Sequence, residues 1–146
     1  MAGRTYTLDA IEKTVLPTLR DPRVYLALGR GAVGSGRLLS EAYSAERLEE
    51  QLRVVARETV SRPTLFRIDQ LQNRVLLSPI FGWHEAEFVA AFPGDARFEG
   101  RSPIERAVLA FVTPYLLPAE LAYLDGNRFE VRYQDFDWAL NDLGSR

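Results

Sequence analysis

The chain has 146 residues, 47% of them hydrophobic and 26% charged, which is enough apolar content for one domain with a real core and too little length for two. A net charge of −2 excludes the strongly basic footprint of a nucleic-acid binder, and the absence of cysteine excludes disulfides, thiolate metal sites and cysteine catalysis. His84 is the only imidazole, so multi-histidine metal sites are excluded as well, and neither metal nor cofactor is expected.

Leu8, Ile11, Val15, Leu16 and Leu19 recur at helical spacing behind Thr7, a good N-cap, and predict a helix over about 8–20, interrupted at Pro17. The run Val24-Tyr25-Leu26-Ala27-Leu28 is short, wholly apolar and stops at Gly29, which predicts a buried strand. Gly29, Gly31, Gly34 and Gly36 then mark a loop. Ser44 is placed to cap a helix with Leu48, Leu52, Val55, Ala56 and Val60 on one face, ended by Pro63. Leu65 to Ile68 and Arg74 to Leu77, separated by the polar stretch Asp69 to Asn73, predict a β-hairpin. Ser78-Pro79 supplies an N-cap and an N1 proline for a helix carrying Ile80, Phe81, His84 and Phe88. Ser102-Pro103-Ile104-Glu105 reads as a capping box opening a helix to about Val112. A helical turn from Pro118, a turn at Asp125-Gly126-Asn127 and an alternating strand from Phe129 to Tyr133 complete the pattern. The sum is a single α+β domain over 1–146, with several helices on a small, mostly antiparallel sheet.

Seventeen of the 18 cationic residues are arginine, scattered over every segment near acidic neighbours, a distribution that suits surface ion pairs rather than one phosphate site. No apolar run reaches about 18 residues and the start lacks a hydrophobic signal core, so the chain as written reads as soluble and cytoplasmic, without a membrane or nucleic-acid partner.

Gly29-Arg30-Gly31-Ala32-Val33-Gly34 fits G-x-G-x-x-G after the expected strand, a pattern that could cradle a pyrophosphate. Its context is poor, because the next helix begins only near Ser44 and the first acid at the end of a following strand, Asp69, lies too far on. A glycine-rich turn is the plainer reading. His84, flanked by aromatics, has the one side chain with an ordinary pKa near neutrality, yet a packing role is the commoner one for such a residue. Glu85 and Glu87 fall on different faces of its helix and form no converging pair, and Asp135 with Asp137 offers too few ligands for calcium. Ser35, the only hydroxyl of the glycine loop, is a candidate nucleophile that would need a base within reach.

Several blocks together resemble the domain of unknown function 547. They are Gly3-Arg4-Thr5-Tyr6-Thr7-Leu8-Asp9-Ala10-Ile11-Glu12-Lys13, Asp21-Pro22-Arg23-Val24-Tyr25-Leu26-Ala27-Leu28, Gly31-Ala32, Tyr43 through Leu52, Leu77-Ser78-Pro79-Ile80-Phe81-Gly82-Trp83, and Phe136-Asp137-Trp138-Ala139-Leu140-Asn141. The resemblance spans nearly the whole chain and implies an α+β domain of papain-like, thiol-hydrolase character. The departures from it carry weight: the family's Ile-Glu-His triplet is Ile11-Glu12-Lys13 here, and its two loop cysteines fall at Arg30 and about Ser35. The family's upstream helical segment also has no counterpart before Gly3, which leads us to expect a truncated domain with an apolar face completed by another protein or a second copy.

The functional expectation is therefore a binding or interaction module, with Trp83, Phe88, Trp138 and Tyr133 as core or interface anchors. The alternative is a hydrolase or acyl-transfer enzyme with Ser35 as nucleophile, Lys13 or His84 as base, and Glu12 or Asp137 orienting the base. Nucleotide binding through the Gly29 to Gly34 loop is the third reading.

Overall fold

The structure, a computed structural model, describes Gly3 and residues 5–142. Thr7 accepts a hydrogen bond from the Ala10 amide and starts a helical run of changing pitch: α1 (Leu8–Ala10), a wide π-helical turn (Ile11–Val15) and a tight 3-10 turn (Leu16–Leu19) containing Pro17. Arg20 closes it in a left-handed conformation. The expected interruption at Pro17 is thus a tightening rather than an end.

The buried strand expected at Val24 to Leu28 is instead a helix, α2 (Arg23–Ala27), in which Val24, Tyr25, Leu26 and Ala27 are all buried. A five-residue apolar run has no periodicity to separate helix from strand, and burial on every side removes the polar face that would otherwise reveal the turn. α3 (Leu48–Ser61) packs against α2 and buries Leu52, Val55, Ala56 and Thr59. Its N-cap is Arg47, not Ser44. The Ser44 amide instead donates to the buried side chain of Gln51, whose Nε2 donates to the Ala42 carbonyl, so α3 holds its own leading loop.

The hairpin forms as read, β1 (Phe66–Asp69) antiparallel to β2 (Arg74–Leu77) with Phe66 opposite Leu77. β3 (Glu130–Tyr133) then lies parallel to β2, so the three-stranded sheet is mixed, in the order β1-β2-β3. The parallel pair is possible because the long segment between β2 and β3 supplies the crossover that such strands require.

Ser78 caps α4 (Pro79–Trp83) by accepting from the Ile80 amide. The helix expected to continue through His84 breaks there, and α5 (Glu85–Ala91) follows. α6 (Pro103–Val112) has the expected bounds and starts with the Glu105 amide donating to Ser102 Oγ at 3.4 Å, while the Glu105 carboxylate faces Arg101 at 3.5 Å. α7 (Pro118–Asp125) is a real helix, and the amide of its N-cap residue Leu117 donates to the Glu120 carboxylate. The core lies where α2, α3, α4, α5 and α6 cover the sheet, and Phe81, Phe88 and Phe111 meet in it with ring centroids 5.0 to 6.1 Å apart. The chain is thus one α+β unit. No helix among the described residues is long and apolar enough to cross a membrane.

Candidate functional site

Four separate elements bring polar side chains to one place. The π turn carries Glu12, α2 carries Tyr25, the loop after α2 carries Arg30, and the break between α4 and α5 carries His84. Wide helical turns recur at functional sites, which makes this one a place to look.

The Tyr25 phenol and His84 imidazole stack nearly parallel, 3.6 Å between centroids at 9°. Glu12 Oε1 lies 2.5 Å from Arg30 Nη2 and 3.3 Å from His84 Nε2, and the same Arg30 nitrogen is 3.5 Å from that imidazole atom. Arg30 also reaches the Tyr25 carbonyl at 3.4 Å and lies over the Trp83 ring at 5.6 Å. The short Arg30–Glu12 pair is the anchor, and the imidazole is its third member.

Burial holds the His84 pKa below its ordinary 6.5; Arg30 lowers it further, while Glu12 and Glu87 oppose both. The ring is accordingly neutral at pH 7, and donation from Nε2–H to Glu12 leaves Nδ1 as a lone-pair acceptor. Tyr25 is 1% exposed and its phenol is pushed up to about 12, chiefly by burial and next by the Glu87 carboxylate. Its hydroxyl is buried without a hydrogen-bond partner of ordinary geometry, and the Glu87 carboxylate is close enough to raise it.

These groups line or underlie an open cleft of about 430 Å³ whose walls are Asp9, Glu12, Lys13, Pro17, Trp83, His84 and Glu87. Its size is that of a small-molecule site. Lys13, expected as a base, is paired instead with Asp9 at 2.9 Å in an exposed i,i+4 bridge at the cleft mouth.

Ser35 is not brought to His84 or Lys13. It is 3% exposed, its Oγ accepts the Arg30 backbone amide at 3.1 Å, and it lines a different cavity of about 240 Å³ with Gly29, Gly31, Ala32 and Asn141. Asp137 does not orient a base either, since its carboxylate accepts from the Ala139 amide in its own turn.

The G-x-G-x-x-G reading fails on the same loop. No helix of the described residues follows it until Leu48, and its amides are spent on the C-terminal strap: Val33 donates to Ala139, Gly34 to Asp137, and Asn141 donates back to Gly31. Ala32 and Leu140 form an antiparallel bridge there. A Cβ at Gly36 would collide with the Leu26 carbonyl oxygen, and one at Gly34 would lie 2.9 Å from the Asp137 nitrogen. The glycines allow backbone to approach backbone, not phosphate.

Phe88 is a core anchor, whereas Trp83, Tyr133 and Trp138 are half-exposed or more. Trp83, Phe136 and Trp138 cluster with centroids 4.4 to 5.8 Å apart, joining the strap to the cleft wall. Sequence reasoning missed Tyr25, Arg30 and Glu87 as site residues. Tyr25 was hidden by the strand assignment, and Glu87 by the search for a carboxylate pair on a helix that breaks at His84.

Protein-family profiles, curated protein sequences and solved structures give no match to this chain. Its function rests on the geometry. Among the described residues no group of three or more acids or histidines could hold a metal ion.

Proposed function

We propose that the protein is a non-catalytic binding module whose polar cleft descends from a thiol-hydrolase-like arrangement of the domain of unknown function 547 type. The observation that carries this reading is the triad Arg30–Glu12–His84, in which the imidazole Nε2 is taken up by a carboxylate and a guanidinium while the one candidate nucleophile, Ser35, is held in a different cavity. A neutral imidazole oriented by a carboxylate is half of an acyl-transfer device. Arginine cannot serve as the other half, because its guanidinium stays protonated and offers donors only.

The interaction side of the reading is supported by an apolar groove of about 230 Å³ between the 3-10 turn, α2 and α3. Leu16, Leu19, Val24, Leu28, Tyr43 and Leu52 are among its lining residues, and Leu19 and Tyr43 are exposed. Open apolar surface of this kind suits a partner chain or a second copy.

Activated acyl esters and fluorophosphonates are the test. The wild type is expected to form no covalent adduct and to hydrolyse esters no faster than its Ser35→Ala variant. A serine-dependent burst, or an adduct mapped to Ser35, would overturn the reading.

A further inference from the structure

We propose that the exposed aromatic surface of Tyr133, Trp83 and Trp138, with the carboxylates of Glu85, Asp135 and Asp137 at its rim, docks a proline-rich peptide segment that carries arginine. This names a partner for the binding module above and rests on that reading.

The surface joins three elements. Tyr133, at the end of β3, lies against α4, where a Cβ at Gly82 would fall 3.3 Å from the phenol ring. Trp83 follows Gly82, and the strap adds Phe136 and Trp138, whose ring centroids lie 5.0 and 5.8 Å from that of Trp83. Phe136 is packed on the core and Trp83 carries Arg30, so these two form the floor. Tyr133 and Trp138 stand on it, 48% and 66% exposed. Contiguous aromatic surface left in water on a packed support marks an interaction site.

Charge decides the occupant. Glu85, Asp135 and Asp137 are exposed, and no cation pairs with any of them among the described residues. Asp135 and Asp137 flank Phe136 in the strap. The Tyr133 phenol is raised by burial first and then by Glu85 and Glu105, which sets the Glu85 charge near that ring. The cations on adjoining segments are already matched, Arg30 to Glu12 and Arg132 to Glu130. This rim would repel a nucleic acid or an anionic bilayer, and two copies joined through it would set like charges against one another. A basic segment is attracted, and an arginine side chain can lie on the Trp138 ring while its charge faces the acids. Proline suits the rings. A polyproline II chain is extended before it binds, loses little conformational freedom, and packs its pyrrolidine rings on tryptophan and tyrosine.

The test is a titration of the full chain with acetyl-Pro-Pro-Arg-Pro-Pro-Arg-Pro-Pro-amide and with the same peptide bearing glutamate in place of arginine, followed by tryptophan fluorescence and NMR. The arginine peptide is expected to bind saturably, to shift the Trp138 and Tyr133 resonances, and to bind at least about tenfold tighter than the glutamate peptide. Trp138→Ala should weaken it about tenfold or more. Because that change also touches the strap, Glu85→Gln combined with Asp135→Asn gives a second reading at exposed, unpaired positions, with an expected loss of about threefold.

Absence of saturable binding overturns the proposal, as do equal binding of the two peptides, resonance shifts confined to the groove of Leu16 and Leu19, or unchanged affinity in the double variant. Concentration-dependent dimerisation that broadens the Trp138 and Tyr133 signals would assign the surface to a second copy and likewise overturn it. None of these outcomes involves acyl transfer, so the non-catalytic reading stands or falls separately.

Discussion

His84 ties the chemistry of the site to stability. In the unfolded chain it titrates near 6.5, and in the folded chain lower, because burial and then Arg30 oppose its charge more than Glu12 and Glu87 favour it. The unfolded state therefore binds more protons between the two values. Above pH 6.5 this group leaves stability unchanged, and as pH falls through 6.5 toward the folded value stability is lost. Urea titrations from about pH 8 to 5, above the usual carboxylate range, should show a steeper acid loss in the wild type than in His84→Gln. Parallel curves would show that another group is responsible. The glycine loop makes a second claim about single residues. Gly36→Ala should cost roughly 1–3 kcal/mol because its methyl would strike the Leu26 carbonyl, a contact of backbone that cannot swing aside. Gly31→Ala meets open space but sits at φ +68, so it should cost only about 1 kcal/mol from backbone strain. Denaturant midpoints of the two variants test the order.

Secondary-structure elements differ in how much of their origin was legible. The Ser78 and Ser102 caps, the hairpin and α6 follow from local chemistry, since each has its turn residue or cap in the few positions before it. Ser78 is wholly buried and holds the start of the helix that leads to His84. Ser78→Ala should therefore lower stability by about 1–2 kcal/mol, more than the exposed Ser102→Ala at about 0.5–1 kcal/mol, in the same denaturant assay. α2 could not be read this way: its sequence is apolar throughout, and its helical state is imposed by packing against α3 on one side and by the Tyr25–His84 stack on another. The end of α4 at His84 likewise has no proline or glycine at that position to announce it.

In the molecule as a whole, the C-terminal strap matters most to the site's surroundings. Residues 137–141 hold the glycine loop through Ala139, Asp137 and Asn141, and that loop in turn presents Arg30 through the Ser35 hydroxyl. Truncation after Gln134 should make the Val33 and Gly34 amides exchange at least about tenfold faster while leaving the β1–β2 hairpin amides protected. Unchanged exchange at Val33 and Gly34 would mean that the loop stands without the strap. Composition, cap chemistry and periodicity alone determined that this is one α+β chain without thiol chemistry or multi-histidine metal sites, because those are properties of residue types and of neighbours a few positions apart. Only the tertiary structure decided that Glu12, Tyr25, Arg30 and His84 form one cluster, that Ser35 is withheld from it, and that β3 runs parallel to β2. Those outcomes depend on contacts between distant segments, such as Glu12 with His84, whose cost in chain entropy is repaid by the packing of the whole core and leaves no local signal in the sequence.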